Sequence, residues 1–574
     1  MNRPPDLGAM TKRPVTHAGV VIGLLVLAGF AGCLSGGPDE PPAEPPVEGS
    51  DEQALLAAAP FTIFRCVGGY RVANDVVGAV LDACNHRVTK TLDDPGRFDW
   101  TTQHGPGNEV SIAVDPTDPN VLAAGAKDYT VSYISDVAGC GSYTVWMGTF
   151  WSTDGGLTWG NDLMPGFPGD ERQSPLSGNE CNTDPVLVFD DDGTLWYSGL
   201  NYRGQRADQP AVPNPVGPSD PLTGSQLYFA KSTDGGASYP DISFAAAGDN
   251  DVVFNDKQWF AVQPGGDHMI ATWAQFVTVS DPTGAVGGAG NDVIAYTESL
   301  DGGATWTPQQ VLRPGGDASG PAVPADGQFS MPQYLSAAAT TDLAVIWWDG
   351  ERVLYAEGVV TPGGTEWGPV MSTFAVNSLK SGPGRDGTGP SEFRLSTYPV
   401  LAVDTSGGEH DGRRYVVWPD QPGPLDSDVQ VPLRYTDDGL TWSEPVTVND
   451  VEHGDQLMPW IDVDPEGGVH VAWYDRRNDP DNRLLDVYYA YSGDGGETFA
   501  PNVRITETSF DGDLAHHQSG APFIGDYIGV DTTNATVHIV WADTRHTGEP
   551  GREAGSDVYA ATLLRDASAR VLFA

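Results

Sequence analysis

At 574 residues the chain exceeds an ordinary single domain and suits one large repeat fold plus a leader. Its 78 acidic residues against 30 basic ones give a formal charge of −48, and repulsion then argues against nucleic acid or an anionic membrane surface as a partner. High salt, which screens self-repulsion, or the simple solubility of an acidic exported body accounts for the charge. Structural calcium, which takes carboxylate and carbonyl oxygens, stays open, and no other cofactor is required.

Met1–Gly32 begins with Arg3, Lys12 and Arg13, continues as the apolar run Val20–Phe30, and ends in Ala31-Gly32 before Cys33. The run is short for a spanning helix, and small residues beside a cysteine suggest a processing site. The segment, residues 1–33, resembles a lipoprotein signal peptide, which implies a lipid on Cys33 after cleavage; Phe30 stands where that box usually carries Leu. A plain secretory signal or an uncleaved anchor is the alternative, and either way the body is exported. Residues 34–60, rich in Pro, Glu and Gly, bury too little to fold and read as a tether from the cell surface. Contact with the membrane is then expected only through the lipid.

Residues 61–107 form an N-terminal segment with two of the remaining cysteines, Cys66 and Cys84; Cys140 and Cys181 follow. An even number in an exported chain without a C-x-x-C pair favours two disulfides over metal ligation. Three pairings are open, and Cys66–Cys84 with Cys140–Cys181 closes the shorter loops. Each bridge contributes about 3–4 kcal/mol by restricting the unfolded chain.

From residue 108 to the C-terminus a three-strand theme recurs. First strands end in Asp/Gly turns, as in Val110–Pro116, Pro185–Gly193, Pro459–Gly468 and Tyr527–Ala535. Second strands end in an aromatic followed by polar residues, as in Val469–Arg477 and Val537–Arg545, and third strands are short and alternating, as in Asp486–Ser492. Alternation, β-branched and aromatic enrichment, and intervening turn residues predict strands throughout.

After the third strands comes S-x-D-G-G-x-T-W: Ser152–Trp159, Ser232–Tyr239, Ser299–Trp306, Tyr435–Trp442 and Ser492–Phe499. Its aspartates, Asp154, Asp234, Asp301, Asp437 and Asp494, are expected to accept hydrogen bonds within their own turns, with the glycines supplying positive φ. The interval from 301 to 437 is double, and Val360–Trp367 fills its middle with Pro362 in the Asp place. A seventh unit, Pro522–Arg565, lacks a clear box. Seven units that cannot bury both faces alone predict an all-β, seven-bladed propeller of four-stranded antiparallel blades, a monomer. The last outer strand comes from Arg570–Ala574 or from His86–Thr91, of which the second is preferred.

The repeated turn resembles the Asp-box, or BNR repeat, of sialidase-like β-propellers, over roughly residues 108–566. The resemblance implies glycan recognition and, in the sialidases, three arginines on a carboxylate, a Tyr nucleophile assisted by a Glu, and an Asp acid/base. The sialidases have six blades, the alternative count here, and their Phe-Arg-Ile-Pro motif is missing; Phe64-Arg65-Cys66-Val67 does not replace it. The units are also similar to exported repeat proteins reading V-x-W-x-D-x-R, D-V-Y-x-A-x-S, whose last blade carries G-D-Y, as Gly525-Asp526-Tyr527 does.

Blade topology puts the Asp-box turns at one end, and the second-to-third loops and links into first strands at the other. That mouth is expected to gather Tyr527, Asp526 and Arg394 as catalytic candidates, with Arg203, Arg352, Arg476, Arg545 and Tyr398 for binding. Arginines there fork onto carboxylate or sulfate groups. For Asp543 and Arg545 the competing reading is an intra-blade ion pair repeated for packing, and for Asp526 and Tyr527 a buried clamp and a core-packed ring. No P-loop, H-E-x-x-H or nucleophile elbow is present, and the adjacent His516 and His517 are a weak metal signal. The expected function is recognition of glycans or glycoproteins at the cell surface, extending to exo-hydrolysis of terminal acidic sugars if the chain is an enzyme. The alternative is a non-catalytic adhesion or protein-interaction propeller.

Overall fold

The computed structural model describes residues 64–66, 72–74, 79–81, 85–88, 106–134, 144–202, 225–247, 253–265, 268–277, 293–312, 329–336, 342–377, 379, 393, 395, 397–423, 428–518, 521–547 and 555–565, all within the compact unit Ser50–Ala574. Cys33, the leader, the tether, Arg203, Arg394, Cys84, Cys140 and the Cys66 side chain lie outside the described residues.

Among the described residues seven blade sheets, antiparallel in their core strands, each run from an inner strand outward, beside one small two-stranded ribbon at His517–Gln518 and Ala521–Pro522. Blade one is Gly107–Val114, Leu122–Asp128, Trp146–Ser152 and Gly160–Leu163. Blade two is Cys181–Phe189, Leu195–Tyr202, Gln226–Ser232 and Asp241–Ala247. Blade three is Val253–Val262, Met269–Val277, Val293–Ser299 and Gln310–Val311. Blade four is Ser330–Tyr334, Asp342–Trp348 and Arg352–Thr361, the last pairing with both Gly364–Trp367 and Met371–Ala375. Blade five is Val400–Val403, Arg414–Val417, Pro432–Thr436 and Val446–Thr447. Blade six is Gln456–Val463, Val469–Asp475, Leu484–Ser492 and Val503–Arg504. Blade seven has Gly529–Thr532, Thr536–Asp543 and Asp557–Arg565. Inner strands touch in sequence order, and the seventh returns to the first, so the ring is closed with seven blades rather than six.

The outer edge of blade seven is covered by N-terminal chain. Asn85–Arg87 pairs antiparallel with Tyr559–Ala561, and Phe64–Cys66 with Leu563–Arg565. A hairpin of Val72–Asn74 and Ala79–Leu81 extends blade six, its second strand running parallel to Val503–Arg504. Joining first and last chain segments in one sheet ties the ring shut without a free edge there.

Burial explains the sequence rhythm. Inner strands are wedged between blades, so Gly107–Val114 is buried at every residue and reads as a run rather than an alternation. Second-strand tryptophans Trp273, Trp347, Trp473 and Trp541, and Trp418 just past the second strand of blade five, are all buried in the core, where truncating one to Ala costs about 3–5 kcal/mol. Outer strands Gln310–Val311 and Val503–Arg504 are short and only partly buried. Among the described residues helix is limited to Val131–Ile134 and one 3-10 turn, Gly512–Leu514, and none is long and apolar enough to cross a membrane. Cys181 is buried and disulfide-bonded, its partner lying outside the described residues.

Candidate functional site

Four inner strands break register against their second strands near the mouth, between Asn108 and Ser111, Thr183 and Val186, Asp256 and Trp259, and Leu457 and Trp460. At each bulge one non-glycine residue takes positive φ: Glu109 (49°), Asp184 (60°), Lys257 (56°) and Met458 (49°). A left-handed residue of this kind costs roughly 1–2 kcal/mol, and bulges re-aim side chains. Three of these four side chains are charged, and they meet.

Lys257 Nζ lies 2.5 Å from Glu109 Oε1, 2.8 Å from Asp526 Oδ2 and 3.8 Å from Asp184 Oδ1. Lys127 Nζ takes the other Glu109 oxygen at 3.1 Å. The Lys257 backbone N–H donates to Asp184 at 3.2 Å, and Thr183 Oγ1 donates to the same carboxylate at 2.8 Å. Glu109, Lys127, Asp184, Lys257 and Asp526 are all buried. Gly525, at φ 102°, presses so closely on the Glu109 backbone that an added Cβ would sit 2.6 Å from its nitrogen. The glycine of G-D-Y is thus explained by backbone contact as well as dihedral.

Burial presses both ammonium groups toward neutrality, but the carboxylates win. Glu109 holds Lys127 above its ordinary range, while Asp184, Asp526 and Glu109 hold Lys257 well above it. Burial would raise Asp184 too; Lys257, and a hydrogen bond from Asp256, bring it well below the carboxylate range. Asp256, half-buried at the surface, is pushed the other way, well above the carboxylate range, by desolvation and then by the Asp184 charge. In the hydrogen bond between the two, Asp256 is the donor and Asp184 the acceptor.

Below this cluster the channel is stopped by aromatic rings. Trp259 and Trp460 are 4.9 Å apart between centroids, Phe329 stacks on Tyr398 at 5.3 Å, and Tyr527 stands 5.9 Å from both tryptophans. The Lys257 ammonium is 5.5 Å from the Tyr527 ring. Burial first, then Glu109 and Asp184, push the Tyr527 phenol well above its ordinary range, although Lys257 opposes them. Beside the cluster, Asn182, Asn201 and Gln226 line up across the first three strands of blade two. All three are buried, yet Asn182 Nδ2, both amide atoms of Asn201 and Gln226 Oε1 have no hydrogen-bond partner; Gln258 Oε1 is also unpaired. An unpaired buried amide is costly, so this row marks unused hydrogen-bonding capacity.

Of the residues expected at the mouth, Asp526, Tyr527 and Tyr398 are brought together at the centre. Arg545 is held within its own blade: it meets Asp543 at 2.6 Å and covers Tyr559 at 4.4 Å, while Trp541 Nε1 donates to Asp543 at 2.9 Å. Blade six repeats this with Arg477, Asp475 and Trp473. Arg476 is buried against Asp455 at 3.4 Å and over Phe393. Arg352 is exposed on blade four and donates to the Thr373 carbonyl. Sequence reasoning missed Glu109. The available signal was positional, since Glu109, Asp184 and Lys257 each stand just ahead of a first strand's apolar run.

The boxes clamp third-to-outer turns at the opposite end. Asp154 accepts from Ser152 Oγ (2.8 Å), the Thr158 N–H (2.8 Å) and Thr158 Oγ1 (2.5 Å), and Asp234, Asp301 and Asp494 do the same. In blade five the clamp is Asp438, not Asp437: it accepts from the amides of Leu440 and Thr441, whereas Asp437 forks onto Arg413. The acceptor there lies one residue later while Thr441 keeps the place of Thr158, so the clamp spans one residue fewer. Among the described residues no group of three or more His, Cys, Asp or Glu side chains is arranged to hold a metal ion.

No family model and no curated protein matches the sequence. Among solved structures, a protein of unknown function from Dyadobacter fermentans is 10% identical with a TM-score of 0.41, over 87% of this chain and 100% of that one. A Hadza microbial sialidase is 14% identical with a TM-score of 0.41, over 74% of this chain and 72% of its own. A Penicillium chrysogenum alpha-L-arabinanase is 11% identical with a TM-score of 0.37, over 83% and 97%. At such identities and scores these similarities assign no residue and no reaction.

Proposed function

We propose that the chain is an exported propeller, lipid-anchored through Cys33, that binds glycans at its mouth without hydrolysing them. The observation that carries this reading is the row of buried amides Asn182, Asn201 and Gln226 with unsatisfied donors and acceptors. Asn182 has a donor to offer a sugar's hydroxyl groups, Gln226 an acceptor and Asn201 both, while the Asn182 oxygen is already taken by the Tyr228 hydroxyl. The Asp-box resemblance supports the same class of ligand.

Neutral sugars suit the mouth better than acidic ones. Its two lysines are already engaged by Glu109, Asp184 and Asp526, and the chain as a whole is strongly anionic. Sialidase-type hydrolysis has less support, because a nucleophilic phenol needs a lowered pKa or a free base, and Tyr527 is buried with its proton held more tightly than usual. Arg203 and Arg394 keep a place in the acidic-sugar alternative.

The full-length chain is tested on an array of neutral and sialylated glycans, alongside a fluorogenic sialoside. The reading expects binding to neutral glycans, loss of that binding in Asn201→Ala and Gln226→Ala, and no release of fluorophore. Turnover abolished by Tyr527→Phe would replace it with the hydrolase, and binding untouched by the amide variants would remove its basis.

A further inference from the structure

The opposite end of the ring holds a second site, independent of the glycan reading. Between the first-to-second turns the central channel opens into a cavity of roughly 600 Å³. Its lip includes Pro116, Pro264 and Pro465, its walls Val114, Val403 and Val463, and its floor Trp259 and Trp460. That volume lies within the range of small-molecule sites, and an apolar wall with a few polar groups is their usual lining.

The seven-fold repeat is broken here in one place. The inner-strand residue one step before the last pairing with the second strand is Ala113, Val188, Ala261, Gln333 and Ala402 in blades one to five. In blades six and seven it is Asp462 and Asp531. Two adjacent carboxyls thus replace neutral side chains at one level of the channel wall, and both keep part of their surface open. Asp531 Oδ2 accepts from the Val114 N–H at 2.7 Å, and Asp462 Oδ2 from Thr532 Oγ1 at 2.5 Å. Burial raises both carboxyls, against the pull of Thr532 and His470 on Asp462, and the neighbouring Asp462 adds to the effect on Asp531. A local departure from an otherwise consistent pattern is where function is expected.

We propose that this channel binds an organic ammonium compound with an apolar body, its head against Asp462 and Asp531 and its body on Trp259 and Trp460. A cation answers both carboxyls lining the one cavity, and the paired tryptophans receive an apolar or aromatic group. An anion is repelled there, and a bare divalent ion finds too few oxygens for its six or more ligands.

Calorimetric titration of the full-length chain compares 2-phenylethylammonium with its neutral isostere, 2-phenylethanol. The expected result is ammonium binding at least tenfold tighter than the alcohol, with the preference erased in the Asp462→Asn/Asp531→Asn double variant and kept in Glu444→Gln, which is exposed and outside the cavity lining. Equal affinity of the two compounds for the native chain, binding of neither, or a preference that survives the double variant would each overturn the proposal. The native comparison stands even if the double variant fails to fold.

Discussion

The two ends of the ring are built from the same seven sheets but solve different problems. At the Asp-box end short turns repeat one solution, a carboxylate gathering donors from its own loop, as in Asp154, Asp234, Asp301 and Asp494. At the mouth the connections are long, running for example from Tyr202 to Gln226 and from Val277 to Val293, and the charged groups satisfy one another across blades. Lys257 of blade three binds Glu109 of blade one and Asp526 at the entry to blade seven. Local clamps hold single turns, whereas the cross-blade cluster holds the ring. A lesion in the second should therefore cost more than one in the first.

The largest expected effect is from Lys257→Met. It leaves Glu109, Asp184 and Asp526 buried with reduced compensation, and breaking such an ion cluster costs about 3–5 kcal/mol. Urea unfolding checks this, and a loss no greater than that of Asp154→Ala would erase the distinction between the ends. Gly525→Ala should follow, losing at least about 1 kcal/mol, because it meets both a positive φ and the Glu109 backbone. An unchanged midpoint would mean that the approach relaxes freely.

Asp154→Ala removes three hydrogen bonds from one exposed turn and should cost about 1 kcal/mol, as loss of a capping side chain does. Asp437→Ala should stay within about 0.5 kcal/mol, since its carboxylate is exposed, is not the clamp, and leaves the buried Arg413 bonded to the Gly495 carbonyl. Equal losses in parallel thermal melts would contradict the one-residue shift in blade five.

The smallest effect concerns protons. Asp256 binds its proton more tightly folded than unfolded, so its contribution is complete below about pH 4 and is lost as pH climbs toward its raised folded value. Asp256→Asn removes that slope, and the variant should gain on the native chain as pH rises from about 4. The Asp-box carboxylates have the opposite sign: burial raises Asp154, its Thr158 and Ser152 donors more than reverse this, and its contribution is lost as pH falls. Stability curves that stay parallel for Asp256→Asn and the native chain would remove the hydrogen bond that Asp256 donates to Asp184.

The same contrast explains what was legible in the sequence. Turn chemistry is local, so eight residues such as Ser152–Trp159 announce both the turn and its place after a third strand, and their spacing yields the blade number. The W-x-D-x-R clamps are local too, and the pairing of Asp543 with Arg545 was visible as a repeat. The mouth cluster is not local: Glu109 meets Lys257 only because the ring brings blades one and three to a common axis. Its aim depends on bulges, which leave no residue signature beyond a charge ahead of an apolar run. Arginines near loops are ambiguous for the converse reason, since such a side chain is as readily held by its own blade, as Arg545 is by Asp543.

Amide hydrogen exchange of the full-length chain with and without a bound neutral oligosaccharide tests the division between the two ends most directly. The account predicts new protection at 107–110, 181–184 and 225–228, with the turns at 152–160 and 492–499 unchanged. Protection confined to those turns, with the mouth strands unaffected, would contradict it.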